Sequence, residues 1–418
     1  MELTNVKSSY LPSISNSKYY LLIFIIWPFL AFITAILNYR QSEAKKVVYF
    51  FIIYYGLTFI IANQGVDAYR YALQMKENAF LPFSDFYEIV AGLYATDTSV
   101  DIIEPLISFI VSRFTTHHAF LFAAYAAVFG YFYLRSINLV YNRYMDNPRY
   151  DSLIFMVFLI FTIPITQING FRMWAAAWIF FYGAYHVVLY RRKKFLLLAL
   201  AASMVHWSFL IPNTLLVIYF FAGNRNMIYL ILAIVTFFLP QIISPFLESI
   251  SMSLGGPIQA RYEGYTSEAY MIARQEEMAT ASWYVNAGNN LIYYYLILAV
   301  IIMQLFHRNK IKKTEDQNLF SFILLLISLV NLGNQIPSFG NRFQIVTLLF
   351  LTLYVFLYFN KLESKSIHYL ALIAIFPILL YTALIFRISA ESINMWIFAP
   401  GFGTPFLADG FSLGDLLF

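Results

Sequence analysis

The chain has 418 residues, of which 61% are hydrophobic and only 12% charged, with a formal net charge of +5 and no cysteine. That balance excludes an ordinary soluble domain, and the missing cysteine excludes disulfides, thiolate metal sites and a cysteine nucleophile. The small basic excess gives no reason to expect a nucleic-acid partner, because the lysines and arginines are explained by their places between apolar stretches.

Apolar runs approaching the ~20 residues of a bilayer-spanning helix lie at 19–37, 47–62, 116–134, 152–168, 171–190, 195–221, 227–243, 291–306, 319–335, 343–360 and 368–387. The first follows a polar head without a basic region and small-residue cleavage site, and so reads as a retained anchor. Basic residues gather at 38–46, 135–151, 191–194, 308–313 and 361–365. Placing these in the cytoplasm puts the amino terminus, 63–115, 244–290 and the tail outside.

The assignment holds only if 195–221 returns to the side it left. Its 27 residues are too few for two full passes at 1.5 Å per residue. A bent or re-entrant pair is therefore expected, broken near 204–208 with Pro212 close by. The fold class is an all-α polytopic membrane protein, a single integral membrane domain over 1–418. It has about 11–12 transmembrane helices by the ~20-residue criterion, and two longer external segments.

The first external segment opens with Asn63-Gln-Gly-Val-Asp-Ala-Tyr-Arg-Tyr71, where Gly65 permits a sharp turn and a short helix is expected over about 68–76. Asp67, Arg70 and Tyr71 are thus held at the membrane boundary. An N-cap with interfacial anchors explains them as well as a substrate site does. Further on, Glu104-Pro105 opens an apolar stretch, 106–114, too short to span, with proline in the first turn of an interfacial or half-membrane helix. Glu104, like Asp67, is suited to act as a base or as an arginine partner. The second segment is expected to be helical over 257–274 and carries Arg261 and Arg274.

Outer arginines run against the orientation rule and invite a reason. Arg172 follows Gly170 and precedes Ala175–Ala177 at the outer start of a span. It sits on the unfavourable end of the helix macrodipole unless an anion joins it. A diphosphate would satisfy that demand; a snorkelling anchor is the alternative. Arg342, after Gly340, repeats the pattern. His206 lies at the expected break of the re-entrant pair, where irregular backbone at membrane depth lines a cavity. It could move a proton, bind an anion or simply hold structure. No P-loop, dinucleotide-binding glycine pattern, HExxH or metal-ligand spacing is present.

These landmarks, in this order, resemble the EpsG family, which belongs with the Wzy-type polymerases of O-antigen, capsule and exopolysaccharide repeat units. The resemblance rests on Gly65-x-Asp67-x-x-x-Tyr71, Glu104-Pro105, Phe171-Arg172 followed by small residues, basic 191–194, and His206-Trp207-Ser208. It covers about 45–220 well, and the rest by topology alone. It implies a glycosyltransferase in the bacterial cytoplasmic membrane, moving a growing glycan from undecaprenyl diphosphate to the non-reducing end of a new lipid-linked repeat unit. Its partners would be that lipid-linked oligosaccharide, the bilayer, and a chain-length regulator and flippase of the same pathway. No cofactor is implied.

The candidate catalytic residues are then Asp67, Glu104, Arg172 and His206. The candidate substrate-binding residues are Arg70, Tyr71, Arg261, Arg274 and Arg342. A flippase of lipid-linked oligosaccharide is the alternative function, but it would carry charges along a central path and repeated halves. An O-acyltransferase would need its histidine on the cytoplasmic side.

Overall fold

Lipid offers the backbone no hydrogen-bond partner, so a chain of this composition satisfies its peptide groups within helices. The computed structural model describes residues 17–85, 87, 101–144, 150–239, 249, 252, 256–306, 314–334, 336–359, 365–408 and 410–418. Among them the only β pairing is one isolated antiparallel bridge, Asn394 to Ser412. Also among them, six helical stretches are long and apolar enough to cross a membrane: His118–Arg143, Tyr150–Tyr190, Trp283–Phe306, Glu315–Gly333, Ser338–Phe359 and His368–Ala390. The second of these, 41 residues long, contains both runs expected at 152–168 and 171–190.

The run expected as one span at 19–37 is instead two ten-residue helices, α1 (Ser17–Ile26) and α2 (Pro28–Leu37). Pro28 has no N–H to continue the first helix. The C-terminal tail offers donors at the kink: Gly401 N donates to the Ile26 carbonyl at 2.6 Å and Phe402 N to that of Ile25 at 3.3 Å.

Next come α3 (Ser42–Leu57), the surface helix α4 (Asp67–Asn78), the half-length α5 (Ile103–Ser112) and the spanning α6 (His118–Tyr144). Glycine brings α3 and α6 together. A Cβ on Gly56 would lie 2.4 Å from the Phe122 carbonyl oxygen, and one on Gly130 2.7 Å from Ile52. Arg113, just past α5, closes the end of α4: its Nη1 donates to the Leu81 carbonyl at 2.6 Å and its Nη2 to that of Asn78. Its guanidinium also lies 4.3 Å from the Phe109 ring centroid. These contacts give Arg113 a structural role.

Helix α7 (Leu153–Thr162) leads through a 3-10 stretch, Ile165–Gly170, into α8 (Phe171–Tyr190). Tyr125 stacks on Phe171 at 4.2 Å and Tyr133 meets Trp178 edge-on at 5.1 Å, so α6 and α8 run parallel.

The re-entrant pair is α9 (Lys194–Val205) and α10 (Leu210–Ala222), broken at His206 and a 3-10 turn, Trp207–Phe209. At 1.5 Å per residue these helices reach ~18 and ~20 Å, short of the ~30 Å hydrocarbon core. The pair also returns. Arg191, at the end of α8, lies over the ring of Phe220 at 5.3 Å. A Cβ on Gly223, just past α10, would be 3.9 Å from Arg191 Nη1. Both ends of the pair are therefore at the same membrane face.

Helix α11 (Asn226–Phe238) follows, then α12 (Gly256–Thr266) and α13 (Glu268–Thr280). The single helix expected over 257–274 is thus two, separated at Ser267. The last four are α14 (Trp283–Phe306), α15 (Thr314–Gly333), α16 (Pro337–Phe359) and α17 (Lys365–Ala390). Asn226 bonds Gln317 at 2.7 Å near the starts of α11 and α15, and Asn331 bonds the Ala233 carbonyl at 3.0 Å near their ends. These two helices are therefore parallel, as the returning pair requires.

The basic connections converge at one end. Lys45 donates to Asn142 at 3.0 Å, and Arg143 pairs with Glu315 at 2.5 Å. Charge assigns that end to the cytoplasm. Gly56→Val should drive a branched side chain into the α3–α6 contact and cost about 1–3 kcal/mol. A lowered thermal midpoint of the detergent-purified protein would record it; an unchanged midpoint would mean the two helices can part freely.

Candidate functional site

At the end that charge assigns to the outside, the break after α9 meets the head of α5. Gly183 on α8 packs against Ala199 on α9, where an added Cβ would lie 2.8 Å from the alanine. This register sets the break about one helical turn inside Arg172. There Ile102 N donates to the Met204 carbonyl at 2.9 Å. Beside it lies Asp101, 1% exposed.

Asp101 joins the parts. Its Oδ1 accepts from the backbone N–H of Trp207 at 2.8 Å, and its Oδ2 accepts from Arg172 Nη1 at 3.0 Å. Arg172 Nε donates to the Tyr71 hydroxyl at 3.0 Å, and the guanidinium sits 5.4 Å from that ring's centroid. The anion demanded by an arginine at a helix start is thus supplied by the protein. Among the described residues these two bonds occupy two of the five guanidinium N–H donors. The Arg172 side chain is 23% exposed.

Glu104, in the first turn of α5 three residues after Asp101 and 2% exposed, accepts from the Tyr125 hydroxyl at 2.7 Å. Burial raises its pKa from the ordinary carboxylate value, while the Tyr125 hydrogen bond and the nearby Arg172 charge work against that rise. Burial likewise raises the pKa of the Tyr71 hydroxyl, against the pull of Arg172. Tyr71 and Tyr125 meet edge-on at 5.7 Å, which closes the wall between α4 and α6.

Asp67 lies at the rim, 31% exposed, paired with Arg70 one turn on. The N-cap of α4 is Val66, with no side-chain cap, so Asp67 does not fill that role. Nor does Gly65 use left-handed backbone; its N–H donates to Asn63 Oδ1 at 2.9 Å, and this Asx turn redirects the chain. The exposed Asp67–Arg70 pair contributes little stability, but the Asp67 charge reaches both Tyr71 and Glu104.

His206 caps the 3-10 turn. Its Nδ1 accepts from Ser208 N at 3.3 Å and lies 2.8 Å from Ser208 Oγ. The ring therefore holds the break in which the Trp207 N–H turns to Asp101.

The remaining expected residues stand apart. Gly340 is helical and packs on Gly333 and Asn334, so it does not make the turn expected before Arg342. Arg342 neighbours Phe343, which packs on Phe209 of the break at 5.4 Å. Arg274 is on α13. Arg261 is on α12, and its side chain lies outside the described residues. Among the described residues no group of three or more His, Asp or Glu is placed to hold a metal ion.

Sequence reasoning missed Asp101 and Tyr125. Two signals pointed to Asp101: an Asp-x-x-Glu spacing at the head of an apolar helix, and an arginine in need of an anion.

The EpsG family model matches residues 47–398, well over half of the chain, and the chain belongs to that family of Wzy-like polysaccharide polymerases and exopolysaccharide biosynthesis proteins. No curated protein and no solved structure matches it.

Asp101→Ala should strand Arg172 and the Trp207 N–H together. We expect a loss of about 3 kcal/mol, the low end for breaking a buried pair, because Arg172 is partly exposed. In a double-mutant cycle with Arg172→Ala, purely additive losses would show that the pair does not couple the two elements.

Proposed function

With membership of the EpsG family as premise, we propose that this chain is a polysaccharide polymerase, a membrane glycosyltransferase of the bacterial cytoplasmic membrane. It transfers a growing glycan from undecaprenyl diphosphate to the non-reducing end of a new lipid-linked repeat unit at the outer face. A flippase and a chain-length regulator are its partners in the pathway. The observation that carries the reading is Arg172, bonded to Asp101 and Tyr71 on one side and partly exposed, beside the buried Glu104 carboxyl.

The acceptor hydroxyl oxygen bonds to the anomeric carbon, and the bond from that carbon to the diphosphate oxygen breaks. Negative charge grows on the departing diphosphate, and the uncommitted donors of Arg172 stabilise it there. The acceptor proton must leave. Glu104 suits that task because its burial brings its pKa closer to the working pH than that of an ordinary carboxylate. Asp67 and Arg70, at the rim, bind the acceptor sugar. Tyr71, Asp101 and His206 are positioning residues: the first two hold the guanidinium and His206 holds the break.

Purified protein given a synthetic undecaprenyl-diphosphate repeat unit should produce a ladder of polymer lengths. Arg172→Ala should lower the rate by about 10²–10³ and Glu104→Gln by about 10²–10⁴, both with normal membrane insertion. Full-rate ladders from these two variants would overturn the assignments. No ladder from any repeat unit would overturn the activity.

The pH profile gives a second test. A base must be ionised, so activity should fall as pH drops through the raised pKa of Glu104. Tyr125→Phe removes a hydrogen bond that favours the ionised form, so the acidic limb should move to higher pH. An unmoved limb would transfer the role to Asp67.

A further inference from the structure

A polar cavity of about 380 Å³ lies at the end of the same helices opposite the Asp101 cluster. Arg135, Asn138 and Arg143 of α6 line it together with His186 of α8 and Arg192 just beyond. That volume is in the range of small-molecule sites. Arginine at the cytoplasmic end of a span is ordinary. The inner wall is not.

His186 is 5% exposed, yet neither ring nitrogen has a hydrogen-bond partner, and Asn138 Oδ1 is buried without one as well. Three unpartnered polar atoms on one wall are costly in a folded protein unless something enters to meet them. The imidazole cannot swing away. It stacks on Phe195 at 3.9 Å and meets Tyr182 and Tyr185 edge-on at 5.0 and 5.5 Å.

The mouth is basic. Arg143 shares its charge with Glu315 at 2.5 Å. Arg135 and Arg192 lie over the rings of Tyr131 and Tyr190 at 5.1 and 5.2 Å, and among the described residues neither makes an ion pair. Three arginines thus face one carboxylate. The arginine donors call for an anion, and the acceptor nitrogen of a neutral His186 ring calls for a ligand that itself donates. One chemistry meets both demands: a phosphate carried next to a hydroxyl.

We propose that this cavity binds the glycerophosphate-type headgroup of an anionic phospholipid from the cytoplasmic leaflet. Arg135 and Arg192 take the phosphate oxygens, while His186 and Asn138 take the headgroup hydroxyls. The cavity's place between the ends of two spanning helices, on the basic side, is where a lipid headgroup lies. A soluble phosphate ester shares the chemistry and is separated from the lipid by competition.

The test uses the full chain in neutral detergent, with bound lipid read by native mass spectrometry. Phosphatidylglycerol should bind at least tenfold more tightly than phosphatidylcholine. Arg135→Gln with Arg192→Gln should weaken it about tenfold, and Arg172→Ala should leave it unchanged. His186→Phe keeps the stack on Phe195 and removes both unpartnered nitrogens. It should weaken phosphatidylglycerol binding while the lipid-free protein melts at or above the wild-type temperature, a combination that a merely structural histidine would not give. Equal binding of the two lipids, or wild-type binding by both cavity variants, overturns the proposal. Competition by free glycerol 1-phosphate at equal concentration overturns the lipid source. No polymer is measured, so this proposal and the polymerase reading fail separately.

Discussion

A carboxylate in a low-dielectric setting has to be matched on every side, and Asp101 is matched by groups from two distant parts of the chain. One oxygen takes the Trp207 N–H, a backbone donor freed by the break in the re-entrant pair; the other takes Arg172, at the head of a spanning helix. Without that acceptor the break would leave a peptide N–H unsatisfied at membrane depth, and the arginine would face the positive end of its own helix alone. One interaction therefore makes both the broken helix and the outer arginine tolerable. Tyr71 extends the arrangement to the surface helix α4, and Tyr125 extends it to Glu104.

The re-entrant pair and α5 approach this point from opposite faces. Neither half of the pair crosses, and α5 has ten residues. Short helices coming from two sides bring polar helix ends to a depth where continuous spans would present only side chains. The polar floor of the site is thus made from backbone as well as from charged residues. The close approach of Gly183 to Ala199 keeps α9 tight against α8, and so fixes how far the break reaches.

Much of this was legible in the chain. Basic clusters at 191–194 and 308–313 cannot share a face unless 195–221 turns back, and the return of Gly223 to Arg191 is the structural form of that constraint. Tyr71, Glu104, Arg172 and the His206-Trp207 break were each singled out, and they do come together. Asp101 was not, because its partners lie 71 and 106 positions away and no periodicity links such distances. Arg342 illustrates the opposite failure. The Gly-x-Arg spacing that repeats Gly170-x-Arg172 along the chain places Gly340 inside a helix, where it serves packing instead of a turn. Spacing along the chain records local geometry well; which charges meet is decided by tertiary packing.

That Arg172 is already paired has a consequence for how such a site discriminates. A free arginine at a membrane surface attracts any anion. An arginine held by Asp101 and Tyr71 presents a nearly neutral unit, and a passing monoanion gains little by approaching it. In the proposed reaction, a diphosphate that loses its bond to carbon would gain charge as the bond breaks, and its hold on the remaining donors of the guanidinium would strengthen at that moment. Interactions that strengthen along the reaction raise the rate, whereas equally strong binding before and after does not. Pairing Arg172 in advance also fixes its orientation, so its remaining donors need not be reorganised when the charge appears. The carboxylate that weakens Arg172 as a general anion site is the same one that makes it directional.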